Sequence, residues 1–290
     1  MKNMKKFLTL SVMAIFATAA FAGDGENELK NFRFGLKVTP SVNWYKPEGK
    51  IMSGNGVGVK FGGGLVMEFR LAKVASLQTG LQIDMEGGKI KYANGGYNAP
   101  GANTISYYYT ISDDVIDKFQ STDSSGSYSS SYYKAHTHYQ LNERQISVTY
   151  ITIPLNLKLK TKEIGMMTYF GQLGINNSFR WKAKANDNLT VLQPSPGAGA
   201  TDSKSKVDIT KDVSLYKASL TFGGGVEMNF SGSTSLLIGA SYNLGFTNAL
   251  KNESDYLEKR TNDSYGAGNV TRVTQTLKSN AVVLTIGVLF

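Results

Sequence analysis

The feature that most constrains the fold of this chain is a series of segments in which apolar and polar side chains alternate. The last of them, residues 280–290, places Val282, Leu284, Ile286, Val288 and Phe290 on one face. Alternation with a period of two is typical of a β-strand that has one apolar face. A half-buried strand of a soluble sheet would show the same pattern, so the choice between the two interpretations depends on the other segments.

Seven further segments alternate in the same way, which predicts eight strands in all. These segments are residues 32–45, 57–71, 77–86, 146–160, 167–184, 216–230 and 236–247, and the eighth strand is residues 271–290. In the fourth segment the apolar phase changes between Tyr150 and Ile151, which we interpret as a β-bulge.

The connections between these strands alternate between long loops and short turns. The long ones are residues 46–56, 93–144, 186–211 and 251–270. Such asymmetry is typical of outer-membrane barrels, which have short periplasmic turns and long extracellular loops. We therefore predict an all-β fold, a closed eight-stranded antiparallel transmembrane β-barrel, because only a closed sheet bonds every backbone group in hydrocarbon.

The second face of the predicted strands combines glycine and small polar residues with charges of both signs. Small or hydrogen-bonding groups suit the narrow lumen of eight strands. The predicted lumen charges are Arg33, Lys37, Lys60, Glu68, Arg70, Asp84, Glu86, Arg180 and Glu227. Aromatic residues on the apolar face lie near the strand ends, as in the girdles of membrane barrels.

The N-terminus has the pattern of an export signal. Three lysines precede an apolar run over residues 7–20, which leads to the small-x-small site Ala20-Phe21-Ala22. We predict a secretory signal peptide over residues 1–22 and one outer-membrane barrel domain over residues 23–290. Loss of the three lysines lowers the formal net charge from +9 to +6.

Charge and cysteine usage restrict the partners. The chain has no cysteine, which excludes a disulfide framework. The modest basic excess is spread along strands, which argues against nucleic acid and favours anionic lipid. The expected partners are outer-membrane lipids and lipopolysaccharide, the insertion machinery during assembly, and a protein contacted through the extracellular loops.

Three short segments resemble the outer-membrane β-barrel family that includes the PorT-type proteins. They are Phe34-Gly35-Leu36-Lys37, Ala75-Ser76-Leu77-Gln78-Thr79-Gly80-Leu81 and, above all, Tyr150-Ile151-Thr152-Ile153-Pro154-Leu155-Asn156-Leu157-Lys158. The resemblance implies an outer-membrane barrel, and some members are linked to a secretion and gliding machinery. The final strand, which ends on Phe290, also resembles the C-terminal assembly signal of such barrels.

Catalytic and metal chemistry have few candidates. The two histidines, His136 and His138, form an H-x-H pair that is a weak candidate for a metal site, with a solvated loop as the alternative. A hydrolase needs a nucleophile with a base in reach, and both histidines lie in the second predicted loop. We therefore expect no enzyme and no cofactor.

The predicted function is that of a non-enzymatic barrel of the bacterial outer membrane. Its extracellular loops would serve surface interaction, or the chain would have a structural or secretion-accessory role as in PorT-type proteins. The segment over residues 93–144 is rich in Tyr and Ser, like adaptable binding surfaces. The alternative is a small porin-like pore for solutes.

Overall fold

The computed structural model describes residues 31–94, 103–109, 137–192, 198–231, 234–261 and 269–290. The strands in these ranges are β1 (Phe32–Val38), β2 (Ser41–Glu48), β3 (Met52–Lys60), β4 (Gly62–Ala72), β5 (Ala75–Tyr92), β6 (Asn103–Tyr109), β7 (Thr137–Lys160), β8 (Met167–Val191), β9 (Thr201–Asp208), β10 (Tyr216–Ser231), β11 (Thr234–Gly245), β12 (Glu253–Thr261), β13 (Asn269–Thr274) and β14 (Thr276–Leu289). A 3-10 turn covers Thr210–Asp212. No helix in the described ranges is long and apolar enough to cross a membrane. The predicted signal peptide lies outside them.

Eight strands close into an antiparallel ring. The ring runs through β1, β4, β5, β7, β8, β10, β11 and β14 and returns to β1. The final strand makes the closure, since Val288 of β14 pairs with Leu36 of β1. The predicted closed eight-stranded antiparallel barrel is confirmed, and its ladders satisfy the backbone without an open edge.

The first two predicted strands are each interrupted once. β1 and β2 flank Pro40, which cannot donate a ladder hydrogen bond. β3 and β4 flank Phe61. Backbone hydrogen bonds of 2.8 and 3.0 Å between Thr39 and Gly62 hold the two interruptions side by side. Because β2 also pairs with β14 and β3 with β5, both pieces stay in the barrel wall.

The outer surface of the barrel is apolar over the height of a membrane. On β7, Ile151, Ile153, Leu155, Leu157 and Leu159 point outward and are 37–53% exposed. The nine residues from the first to the last of these match the ~9–11 residues that a tilted strand needs to cross the hydrocarbon. We call this outward surface the apolar band.

Aromatic rings lie at both ends of the apolar band. Toward the turns, the rings of Phe34 and Phe290 are 5.7 Å apart. Toward the loops, the rings of Trp44 and Tyr242 are 5.9 Å apart. Amphipathic and aromatic side chains favour the interface between lipid and water, so these contacts delimit the part of the barrel that lies in the membrane.

Beyond the apolar band the barrel continues as a second layer with inverted polarity. β7 has 24 residues and β8 has 25, more than twice the length that a membrane requires. Past Ile151 and Trp181 the apolar side chains point inward, and Ile146 and Val148 are 1% and 3% exposed. We call this part of the wall, together with β6, β9, β12 and β13, the extension.

The extension has its own apolar core. It consists of Tyr45, Met52, Ile90, Tyr92, Ile105, Tyr139, Leu141, Ile146, Val148, Tyr150, Ala183, Ala185, Leu189, Val191, Val207, Ile209, Val213, Ala249, Leu250, Leu257, Val273 and Leu277. A sheet in water buries its apolar face, whereas a sheet in lipid exposes it. The same strands therefore have their apolar side chains on the outer face in lipid and on the inner face in water.

The predicted long loops are only partly loop. Strand β3 begins within residues 46–56, β6 and the start of β7 lie within 93–144, β9 lies within 186–211, and β12 lies within 251–270. These strands face water and are rich in Ser, Asn, Lys and Asp, residue types with low or moderate β-propensity. The alternation that marks lipid-facing strands is therefore weak in them.

The interpretation of Tyr150 and Ile151 as a β-bulge in the fourth strand is wrong. β7 alternates without interruption there, with Tyr150 buried inside and Ile151 exposed outside. The extra residue is Trp181 in the partner strand β8, next to Arg180, which pairs with Tyr150. The change of apolar phase in β7 marks the boundary between the apolar band and the extension.

Candidate functional site

Five ionised side chains meet inside the barrel near the turns. Nζ of Lys158 lies 3.3 Å from Oε2 of Glu68 and also contacts Glu227. Nζ of Lys160 is 3.0 Å from Oε1 of Glu227 and also contacts Glu68, and Arg33 donates to Glu227 at 2.7 Å. Opposite charges at these distances offset the cost of burial. We call these five residues the turn-end ion cluster, and it fills the lumen at this level.

An apolar layer completes the closure at the turns. Val66, Phe170, Leu237 and Leu289 are buried together inside the ring. Nζ of Lys158 lies 4.1 Å from the centroid of the Phe170 ring, a cation–π distance. The ion cluster and the apolar layer therefore pack directly against each other.

A small polar cavity lies in the middle of the lumen. Its volume is about 50 Å³. Its polar lining consists of Lys37, Thr39, Ser41, Asn43, Gln82, Asp84, Glu86, Thr152, Asn156, Gln172, Asn176, Ser178, Ser219, Thr221, Ser241, Asn243 and Thr285. This volume suits about three or four water molecules. It is too small for an organic solute.

A buried ion pair separates the cavity from the core of the extension. Nζ of Lys217 lies 2.5 Å from both carboxylate oxygens of Glu86, and Ser279 donates to the same carboxylate at 2.8 Å. The ammonium is also 4.9 Å from the centroid of the Tyr150 ring, which belongs to the apolar core above. The lumen is thus closed by side chains at both ends.

Two buried carboxylates hold the extension together. Arg144 donates to both oxygens of Asp187 at 2.8 and 2.7 Å, which links β7 to β8. Asp212, in the 3-10 turn, accepts from the Ser254 hydroxyl at 2.5 Å and from the backbone amide of Asp255 at 2.9 Å. Burial raises the pKa of the Asp212 carboxyl above its ordinary value.

The predicted lumen charges are placed in four different ways, one of which is the outer-surface position of Lys60. Those inside the lumen are Arg33, Lys37, Glu68, Asp84, Glu86 and Glu227. Arg180 points inward at the base of the extension and donates to the carbonyls of Thr210 and Val213. Arg70 lies at the turn rim, where its Nε donates to the carbonyl of Ala72 at 3.3 Å.

The prediction for Lys60 is wrong, because its ammonium lies on the outer surface. Nζ of Lys60 donates to Ser147 at 2.8 Å, and Ser147 is on the face of β7 opposite to the buried Ile146 and Val148. The chain of Lys60 passes over Gly87 of β5, which has no side chain to block it. Alternation in β3 alone does not show that this strand overlaps the outside of its neighbour.

His138 is part of a buried polar contact. Its Nε2 lies 3.0 Å from Oε1 of Glu258, which also accepts from Ser106 at 2.9 Å. His136, the other histidine of the H-x-H pair, lies outside the described residues. Among the residues that are described, no three His, Cys, Asp or Glu side chains form a group that could hold a metal.

Three lysines of the lumen were not in the predicted set. Lys158 and Lys160 of β7 and Lys217 of β10 all point inward. Each lies on the strand face opposite to the exposed apolar residues, so strict application of the alternation would have included them. Their buried carboxylate partners explain how the lumen accommodates them.

The residues of the proposed assembly signal lie on the outer face of β14. Val282, Leu284, Ile286 and Phe290 are 39–47% exposed, and Val288 is half-buried on the same face. The backbone amide of Phe290 donates to the carbonyl of Phe34 at 2.7 Å. The strand that closes the ring therefore presents a continuous apolar face to lipid.

Comparison with protein families gives one match. The model of the outer membrane protein beta-barrel domain family matches residues 21–251 of the chain. Among curated proteins, none matches.

Several solved structures of low sequence identity are similar to this chain. Neisserial surface protein A has 10% identity and a TM-score of 0.36, with 91% of this chain and 98% of that one covered. OprG from Pseudomonas aeruginosa has 11% identity and a TM-score of 0.38, with coverages of 89% and 95%. Ail, the attachment invasion locus protein of Yersinia pestis, in complex with a heparin analogue, has 10% identity and a TM-score of 0.33, with coverages of 90% and 100%.

Proposed function

This chain belongs to the outer membrane protein beta-barrel domain family, and from that premise we propose that it is a closed, non-enzymatic barrel whose folded extension is a contact surface outside the cell. The observation that carries this proposal is the closure of the lumen at both ends. The turn-end ion cluster and the Phe170 layer fill one end, and the apolar core of the extension fills the other.

The length of the wall supports a role in contact. β7 and β8 together with four additional strands form a folded structure beyond the membrane, which a barrel that served only as an anchor would not need. The segment over residues 110–136, which follows β6 and precedes β7 in the chain, is rich in Tyr and Ser. Side chains of these types form adaptable binding surfaces.

Two finer roles also belong to this proposal. The resemblance of Tyr150–Lys158 to PorT-type proteins supports an accessory role in secretion. The outward apolar face of β14 supports recognition by the insertion machinery during assembly, after export directed by residues 1–22. Both roles concern partners of the same barrel and are compatible with a closed lumen.

Planar-bilayer conductance tests the closed lumen against the alternative of a small pore. We expect purified, folded protein to give no stable single-channel steps, because side chains close the lumen at both ends and the cavity between them has a volume of about 50 Å³. A porin inserted into the same bilayer provides the positive control. Stable steps from this protein would contradict the proposal and favour a solute pore.

A further inference from the structure

Four lysines cluster on the outer surface where the apolar band meets the extension. Nζ of Lys60 lies 2.8 Å from Oγ of Ser147, and Lys184 is the direct cross-strand partner of the same serine. Lys182 precedes Lys184 by two residues on the same face of β8, and Lys89 is exposed on the neighbouring strand β5. We call Lys60, Lys89, Lys182 and Lys184 the lysine patch.

The lysine patch has little negative charge around it. Within the described residues, no carboxylate oxygen lies within the 4.0 Å ion-pair distance of these four ammonium groups. The nearest acid in register is Asp208, opposite Lys184, and it accepts a hydrogen bond from the backbone amide of Thr210 at 2.8 Å. Glu143 lies farther along the same face of β7, opposite Lys91. Two carboxylates for five ammonium groups leave a net positive surface, and neighbouring like charges repel each other.

The height of the lysine patch on the barrel indicates what could neutralise it. Lys182 directly follows Trp181, which is 63% exposed at the upper end of the apolar band. Side chains immediately beyond such an aromatic girdle lie at the level of lipid headgroups. Next to the patch, Lys46 of β2 and Lys278 of β14 are direct cross-strand partners two residues beyond Trp44, and β2 pairs with the strand that carries Lys60. Positive side chains at the headgroup level therefore extend from the lysine patch onto the neighbouring strands.

We propose that the lysine patch is a binding site for the phosphate groups of lipopolysaccharide in the outer leaflet. Flexible ammonium groups bind phosphate as point charges, and the Ser147 hydroxyl adds a hydrogen-bond donor between two of them. A lysine near an anionic lipid surface strengthens binding by about fivefold. The site lies at the lower edge of the extension and binds lipid instead of a protein partner, so either proposal can fail without the other.

The chain offers a built-in reporter for this site. Trp44 and Trp181 are its only tryptophans, so a Trp44→Phe background leaves Trp181 as the single tryptophan, one residue from Lys182, for selective excitation. The folded full-length protein in detergent is titrated with purified lipopolysaccharide, with the same lipopolysaccharide after enzymatic dephosphorylation, and with phosphatidylglycerol. A further arm adds millimolar inorganic phosphate as a competitor.

The test variant is Lys182→Gln/Lys184→Gln, and the matched control is Lys73→Gln/Lys162→Gln. The control removes the same charge from exposed lysines in turns at the other end of the barrel. We expect the test variant to bind lipopolysaccharide about 25-fold more weakly and the control to stay within about twofold of the parent. Dephosphorylated lipopolysaccharide should bind as weakly to the parent as intact lipopolysaccharide binds to the test variant.

Three results would overturn the proposal. They are equal affinities of the two double variants, equal binding of the dephosphorylated lipid, and a preference for phosphatidylglycerol or free phosphate over lipopolysaccharide. Each variant is first checked for the mobility shift of a folded barrel between unheated and boiled samples. If the double variant fails that check, Lys89→Gln tests the patch alone, with an expected loss of about fivefold.

Discussion

At the scale of single residues, the interior depends on charges that are buried or nearly so. Lys158 is the central member of the turn-end ion cluster, because it contacts both Glu68 and Glu227 and also the Phe170 ring. Space for that ring comes from Gly225, where an added Cβ would lie 2.8 Å from Cζ of Phe170. The Phe170 ring on β8 therefore requires glycine at position 225 of β10.

We expect Lys158→Met to lower the free energy of unfolding by ~3–5 kcal/mol, because it leaves two buried carboxylates with one cation fewer. The measurement is the urea concentration at the unfolding midpoint, with unfolding detected as the loss of the folded band on unheated gels. The double variant Lys158→Met/Glu227→Gln should recover part of the loss. Lys162→Met, in an exposed turn, should change stability by at most ~0.5 kcal/mol. A midpoint for Lys158→Met equal to that of the parent would show that the cluster contributes no stability.

At the scale of strands, alternation predicts position well where lipid is the surrounding medium. The outward residues of β7 from Ile151 to Leu159 give an unbroken apolar signal, so the eight-stranded ring could be predicted from the sequence. Strand β9, Thr201–Asp208, could not, since its outer face is wetted and its only strongly apolar position is Val207. Lys60 was misplaced because the overlap of β3 on β5 is a tertiary feature without a local signal.

The closing strand β14 gives a prediction at this scale. If its outward face is an assembly signal, Phe290→Ala should reduce insertion into the outer membrane and leave chains in the periplasm. Phe222→Ala, which removes a similar lipid-facing ring on β10, should insert at the parent rate. Each loses burial worth roughly 1.5–3 kcal/mol, so lost burial cannot explain a difference between them. The measurement is pulse-labelled folded protein in membrane and periplasmic fractions, and equal insertion of the two variants would contradict the assembly signal.

At the scale of the whole molecule, one closed β-sheet lies partly in lipid and partly in water. Apolar side chains face outward in the apolar band and inward in the extension, and the change occurs at Ile151 in β7 and at the Trp181 bulge in β8. The phase change itself was visible in the sequence. The cause of the phase change could not be inferred from the sequence, because a bulge and a change from lipid to water shift the apolar phase of one strand in the same way.

The orientation of the molecule can be tested because the chain has no cysteine. Asn188→Cys places a thiol on the exposed outer face of the extension, and Lys162→Cys places one in an exposed turn at the other end. With a membrane-impermeant maleimide on intact cells, we expect labelling of the first variant only. Both should react after the cells are broken. Labelling of Lys162→Cys alone in intact cells would show that the extension faces the periplasm.

The continuous pairing of β7 with β8 through the edge of the membrane has a mechanical consequence. The two strands pair with each other from the turns to the extension with only single-residue bulges at Asn142 and Trp181, so no flexible connection joins the two parts of these strands. Fourteen residues of β7 lie beyond Ile151, which corresponds to roughly 45 Å measured along the strand. A partner would therefore contact a rigid surface at a fixed height and orientation above the membrane. The extension would lose little conformational freedom when the partner binds.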